Sequence, residues 1–208
     1  MKPTISIIDY QAGNLRSVQK ALEKCGANAV ISADPEAIIN SDAVVFPGQG
    51  ACDTSMNNLK NTGLDNVVKT IIELGTPFLG VCLGLQLLLD HSDEGNEPCL
   101  GVIGGKVVSL PSSGKIPHMG WNEVKVLSNH PVFAGMPENG HYYFVHSYVA
   151  VPEDHKLIAA TTSYGIEFCS AVAFKNVVAV QFHPEKSGAL GLQLYKNFVN
   201  FVDELRRV

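Results

Sequence analysis

The chain repeatedly sets a short, almost unbroken apolar run ahead of glycine-rich punctuation and a segment with helical spacing. "TISIIDY" precedes "NLRSVQKALEKCG", "AVVFPG" precedes "LDNVVKTIIELG", and "TPFLGV" precedes "LGLQLLLDHS". A run without alternation reads as a strand covered on both faces, and helices between such strands cover a parallel sheet on each side. From Gly101 to about Val180 the grain changes. "GKVVSL", "NEVKVL", "YYFVHSYVA", "KLIAATTSYG", "FCSAVAFKN" and "VVAVQFH" are short β-type runs between turn residues, which predict an antiparallel or mixed half. The last segment, "GALGLQLYKNFVNFVDELRRV", has apolar residues three and four apart and arginines where a helix dipole is negative. The expectation is an α/β fold with a central, mostly parallel or mixed sheet flanked by helices, residues 1–208 forming one domain. A chain of 208 residues buries roughly 70% of its unfolded surface without staples.

Charge narrows the function classes. A formal net charge of -5 gives no footprint for nucleic acid. Cys25, Cys52, Cys82, Cys99 and Cys169 are spread without a CxxC pair, which suits free thiols in a reducing compartment and no structural zinc. No pair of histidines has metal-ligand spacing. The opening "MKPTISIIDY" has an apolar run broken by Asp9, so neither a signal peptide nor a membrane span is expected, and a cytoplasmic protein is.

Gly80-Val81-Cys82-Leu83-Gly84 has the form of a nucleophile elbow, G-x-S-x-G, with cysteine as the nucleophile. Such a cysteine would begin the following helix, where free N–H groups favour thiolate, and the N–H of Leu83 would face the site as an oxyanion donor. The same pentapeptide also suits a buried structural cysteine. A thiol nucleophile needs a histidine. In "VVAVQFHPEKS" strand alternation puts Gln181, His183 and Glu185 on one side, and Pro184 is expected to end the strand, leaving imidazole and carboxylate at an open edge. His91, His130 and His155 sit among turn residues; His118, His141 and His146 lie in β-type runs without an adjacent carboxylate. Pro47-Gly48-Gln49-Gly50 ends another apolar run, and glycines flanking one residue let backbone N–H groups turn into a cavity, or make a plain tight turn.

In this order, PGxG, GxCxG and HPE resemble the class I (triad) glutamine amidotransferases. "DYQAGNLRSV", "KIPHMGWNEV", "YYFVHSY" and the lysine of "HPEKS" narrow the resemblance to the glutaminase subunits of imidazole glycerol phosphate synthase, over nearly the whole chain. Gln11 and Gln49 stand where that family usually has glycine and valine. The resemblance implies a flavodoxin-like amidotransferase fold with added antiparallel strands, and hydrolysis of L-glutamine without a cofactor or metal. It implies catalysis by Cys82, His183 and Glu185, oxyanion donors at Leu83 and the Gln49-Gly50 loop, and substrate contacts at Gly48, Gln86, Glu94, Ser147 and Tyr148. It also implies a (β/α)8-barrel cyclase partner in a heterodimer, with Asn14, Met119, Trp121 and Lys186 at or near the interface. A glutaminase of another pathway, such as pyridoxal phosphate synthesis, or a non-catalytic subunit of the same fold are the alternatives.

Overall fold

The computed structural model describes residues 1–11, 13–112 and 114–207. Its first half runs β1 (Thr4–Ile8), α1 (Leu15–Lys24), β2 (Asn28–Ser32), α2 (Pro35–Ile39), β3 (Ala43–Gly48), α3 (Cys52–Thr62), α4 (Leu64–Glu73), β4 (Phe78–Cys82) and α5 (Leu83–Gln86). The second half runs β5 (His91–Ser92), β6 (Gly105–Ser109), β7 (His118–Val126), β8 (Asn139–His146), β9 (Tyr148–Pro152), β10 (Ile158–Tyr164), β11 (Ile166–Phe174), β12 (Val177–Val180) and α6 (Gly188–Leu205).

The main path of the sheet has the order β2-β1-β3-β4-β12-β11-β10-β7-β8. β1 to β4 and β12 pair in parallel, and the ladders from β12 through β11, β10 and β7 to β8 are antiparallel. β6 and β9 form an added antiparallel pair that joins β11 at Cys169 and Ala150. The split follows the sequence grain. Every residue of β3 and β4 is buried, whereas β8 alternates, as sheets covered on two faces and on one face require.

Two apolar cores lie on opposite sides of the sheet. One joins Val18 and Leu22 of α1 to Leu194 and Phe198 of α6; the other joins Met56 of α3, Val68 and Ile71 of α4 and the Leu87–Leu89 run. Register then fixes the site. Gly48 pairs with Cys82 and Val180 pairs with Val81, so three parallel strands end together at one edge, where open α/β sheets bind their ligands.

Two expectations fail locally. The segment after Cys82 is not a long helix: α5 stops at Gln86, and His91–Ser92 is a short strand. The N–H groups of Leu87, Leu88 and Leu89 still donate back to Leu83, Leu85 and Gln86, but their carbonyls accept from the N–H groups of Leu100 to Ile103, so the helix cannot continue through the apolar "LLL" run. "YYFVHSYVA" is two strands, with Ser147 between β8 and β9. No helix among the described residues is long and apolar enough to cross a membrane.

Candidate active site

Cys82 sits at the junction of β4 and α5 with φ 55 and ψ -110. Positive φ in a residue with a Cβ is strained, and the neighbouring backbone holds it there. A Cβ on Gly84 would lie 2.0 Å from the Phe46 carbonyl oxygen, so the turn can close against β3 only with glycine at that position. The sharp elbow expected from Gly80 to Gly84 is therefore present. The long helix expected to favour thiolate is not, since α5 spans four residues.

His183 and Glu185 meet, by a route other than strand alternation. β12 ends at Val180, and Pro184–Lys186 is a turn of 3-10 helix, because proline cannot extend the ladder but suits the first turn of a helix. The turn brings His183 Nδ1 to 2.8 Å from Glu185 Oε1, with both side chains 2% exposed. The pair is thus buried at the heart of the sheet edge, not open to solvent. Burial opposes the charged imidazole, but the negative charge of Cys82 and Glu185 and the hydrogen bond to Glu185 outweigh it and raise His183 to about 10. His183 Nε2 is buried and makes no hydrogen bond of good geometry, to Cys82 Sγ or to any other described group; a base aligned by its substrate has this form. Behind the pair, Asn14 donates from Nδ2 to Glu185 Oε1 at 2.9 Å.

A cavity of about 410 Å³ opens on these groups, lined by Gln49, Gly50, Cys82, Leu83, Gln86, Glu94, Ser147, Tyr148, His183 and Lys186, all singled out in the sequence. Gly48 lies just behind, beside Cys82 in the ladder. Gln86 is buried and donates to the Tyr148 carbonyl at 2.9 Å and to Gln181 Oε1 at 3.0 Å. One Glu94 oxygen accepts from the Cys52 N–H at 2.9 Å. Tyr10 donates its hydroxyl to the Pro47 carbonyl at 2.9 Å, tying the "DYQ" segment to the PGQG turn. Gln11, in glycine's usual place, carries φ 68.

Pro117, Val145 and His146 also line the cavity; they belong to the "KIPHMGWNEV" and "YYFVHSY" runs, but no site role was expected of them. His146 Nδ1 lies 2.9 Å from the Tyr148 carbonyl and its Nε2 lies 2.9 Å from His118 Nδ1. Asn122 Nδ2 is 3.2 Å from His118 Nε2. With Asn122 as first donor, one pair of tautomers satisfies the row: His118 Nδ1 donates to His146, and His146 Nδ1 donates to the carbonyl. Burial pushes each imidazole down to about 4, so both are neutral donors and acceptors at pH 7. Gln181, fully buried, places Nε2 3.7 Å from Cys82 Sγ. Its position beside His183 in the sequence was the one available sign.

Met119 and Trp121 point away from this row, 62% and 56% exposed. Alternation along β7 turns His118 and Asn122 inward and these two outward. Trp121 meets Tyr143 edge-on at 6.3 Å, and Lys186 lies over the other ring at 5.8 Å. This apolar surface therefore adjoins the cavity mouth at Lys186. Asn14 is turned to the triad and half-buried. Among the described residues no group of three or more His, Cys, Asp or Glu side chains is arranged to hold a metal ion.

Comparison with known proteins places the chain in a family. The family profile of glutamine amidotransferase class-I matches residues 6–201. The imidazole glycerol phosphate synthase subunit HisH of Thermosynechococcus vestitus is 50% identical over 206 residues, covering 97% of this chain and 99% of that one. The HisH subunit of Dehalococcoides mccartyi strain CBDB1 is 45% identical over 195 residues, covering 93% and 95%. PurLQS from Thermotoga maritima superposes with TM-score 0.75 at 19% identity, over 97% of this chain and 99% of that one. The glutaminase domain of Trypanosoma brucei CTPS does so with TM-score 0.71 at 17% identity, over 98% and 94%. The chain belongs to the class I glutamine amidotransferase family and, within it, to the HisH subunits.

Proposed function

We propose that residues 1–208 form one glutaminase domain that hydrolyses L-glutamine and delivers the ammonia to a (β/α)8-barrel cyclase subunit. The two chains would make a cytoplasmic heterodimer, an imidazole glycerol phosphate synthase of histidine biosynthesis. The observation that carries the reading is the buried His183–Glu185 pair, whose free Nε2 faces the same cavity as strained Cys82.

Cys82 Sγ attacks the side-chain carboxamide carbon, and negative charge gathers on the carbonyl oxygen. Backbone N–H groups of Leu83 and of the Gln49-Gly50 loop stabilise that oxyanion. A histidine raised to about 10 holds a proton at neutral pH, so His183 protonates the nitrogen as the C–N bond breaks and ammonia leaves. It then takes a proton from water, which attacks the thioester and releases glutamate and Cys82. Glu185 holds the tautomer and stabilises the imidazolium, and Asn14 holds Glu185.

The substrate's α-ammonium needs an anion. Glu94 has one oxygen on the Cys52 N–H, and the other, which accepts no hydrogen bond among the described residues, supplies it. Gly48, Gln86 and the Ser147 and Tyr148 backbone complete the contacts. Ammonia loses its nucleophilicity once protonated, so the acceptor must sit close. Met119, Trp121 and Lys186 supply a surface for it beside the cavity, with Trp121 as anchor; Asn14 is close to that edge. Mixing the chain with a cyclase partner plus its phosphoribosyl aminoimidazole substrate tests the whole reading. Glutamine-dependent product is expected, and its absence with a competent partner overturns the assignment.

A further inference from the structure

Cys52 and Cys99 are 47 residues apart in sequence, yet their sulfurs lie 3.4 Å apart, both buried. The reaction above uses neither. Cys52 opens the 11-residue helix α3, two positions after Gly50. Its N–H holds Glu94, and the rest of that wall is also seated on α3. Asp53 accepts from the N–H groups of Asn96 and Glu97 at 3.1 and 3.0 Å, and Lys60 pairs with Glu97. A thiol donating from Cys99 lowers Cys52 below the ordinary range and raises Cys99 above it. A proton lost from the pair is therefore lost more readily by Cys52 than by Cys99.

We propose that Cys52 and Cys99 form a second thiol site, separate from the nucleophile, which a hydroperoxide oxidises to a disulfide and which thereby repositions the Glu94 wall of the cavity. Cys52 thiolate attacks one peroxide oxygen, giving a sulfenic acid, and the departing hydroxide takes a proton to become water. Cys99 sulfur then displaces the sulfenic oxygen, the S–S bond forms, and that oxygen leaves with the Cys99 proton as a second water. Two thiols lose two electrons in all, and one peroxide is reduced.

Closure shortens the gap from 3.4 Å to about 2.05 Å. The movement is divided between the two side chains and the Cys52 backbone, which holds Glu94 and adjoins the PGQG turn. The effect on glutamine rests on the role given to Glu94 above; the disulfide does not.

Two assays separate these points, both on the full chain with its cyclase partner. In the first, Cys82→Ala removes the competing thiol, and the chain is treated with hydrogen peroxide and analysed by mass spectrometry. Loss of two hydrogen atoms, a peptide linking Cys52 to Cys99, and reversal by dithiothreitol are expected. Neither Cys99→Ser nor Cys52→Ser on that background should form the link. Two free thiols, or oxygen added without a link, overturn the proposal.

In the second, wild type and Cys99→Ser are oxidised and assayed, with Cys99→Ala as a further control. For wild type, kcat/KM for glutamine is expected to fall by about tenfold more than for either variant, mainly through KM, and to recover on reduction. An equal fall in all three reports Cys82 oxidation and overturns the claim on Glu94. A chain with no glutaminase activity before oxidation refutes the proposed function instead, and the mass assay still decides the disulfide.

Discussion

His183 Nδ1 and Glu185 Oε1 lie 2.8 Å apart in a turn where both side chains are 2% exposed. Glu185→Gln keeps a polar partner but removes the charge. The His183 pKa is expected to fall from about 10, read by NMR titration, and kcat to fall on the order of 10²- to 10⁴-fold. An unchanged titration would show that Glu185 does not hold the imidazolium.

The same shift has a consequence for folding. Folding raises His183 from 6.5 to about 10, so its contribution to stability is complete below about pH 6.5 and is lost as pH rises through 10. Denaturant unfolding of wild type and His183→Ala across that window should show the two converging as pH rises.

The His118–His146 pair has the opposite sign. Folding lowers both from 6.5 to about 4, so their contribution is present above pH 6.5 and lost as pH falls through 4. Thermal unfolding midpoints should drop between pH 6.5 and 4 by less in His118→Phe, which can keep the stack with Phe144 and Tyr164 but leaves one fewer imidazole to protonate. Equal drops would refute this account.

Gly84→Ala puts a methyl against the Phe46 carbonyl, and a loss of about 1–3 kcal/mol or more is expected by urea unfolding. Cys82→Gly acts in reverse. It abolishes turnover but relieves the strain at φ 55, and should stabilise the chain by about 1 kcal/mol.

Asn14→Ala removes the donor behind Glu185. A charge-assisted hydrogen bond is worth about 1.5–3 kcal/mol, so kcat should fall about tenfold or more with KM for glutamine nearly unchanged. A change confined to KM would place Asn14 in binding rather than in holding the carboxylate.

Features that local sterics and patterning control were legible before any folding was considered. Unbroken apolar runs gave the parallel half of the sheet, because a strand buried on both faces has no polar face to show. Gly80 and Gly84 around Cys82 gave the elbow, because the close approach to Phe46 leaves no room for a side chain at Gly84. The HPE run put a base and a carboxylate within reach of each other, although a 3-10 turn and not strand alternation joins them.

Features that depend on distant segments of the chain were not legible in that way. "LQLLLD" carries helical apolar content, yet its carbonyls are taken by Leu100 to Ile103, and no local pattern announces such a competitor. Asn14, Gln181 and His146 reach the triad or the cavity only because β7, β8, β12 and the start of α1 converge on one sheet edge. Cys52 meets Cys99 for the same reason. Side-chain chemistry is written locally, but the distance between two side chains is set by the packing of the elements that carry them, and only the folded sheet fixes it.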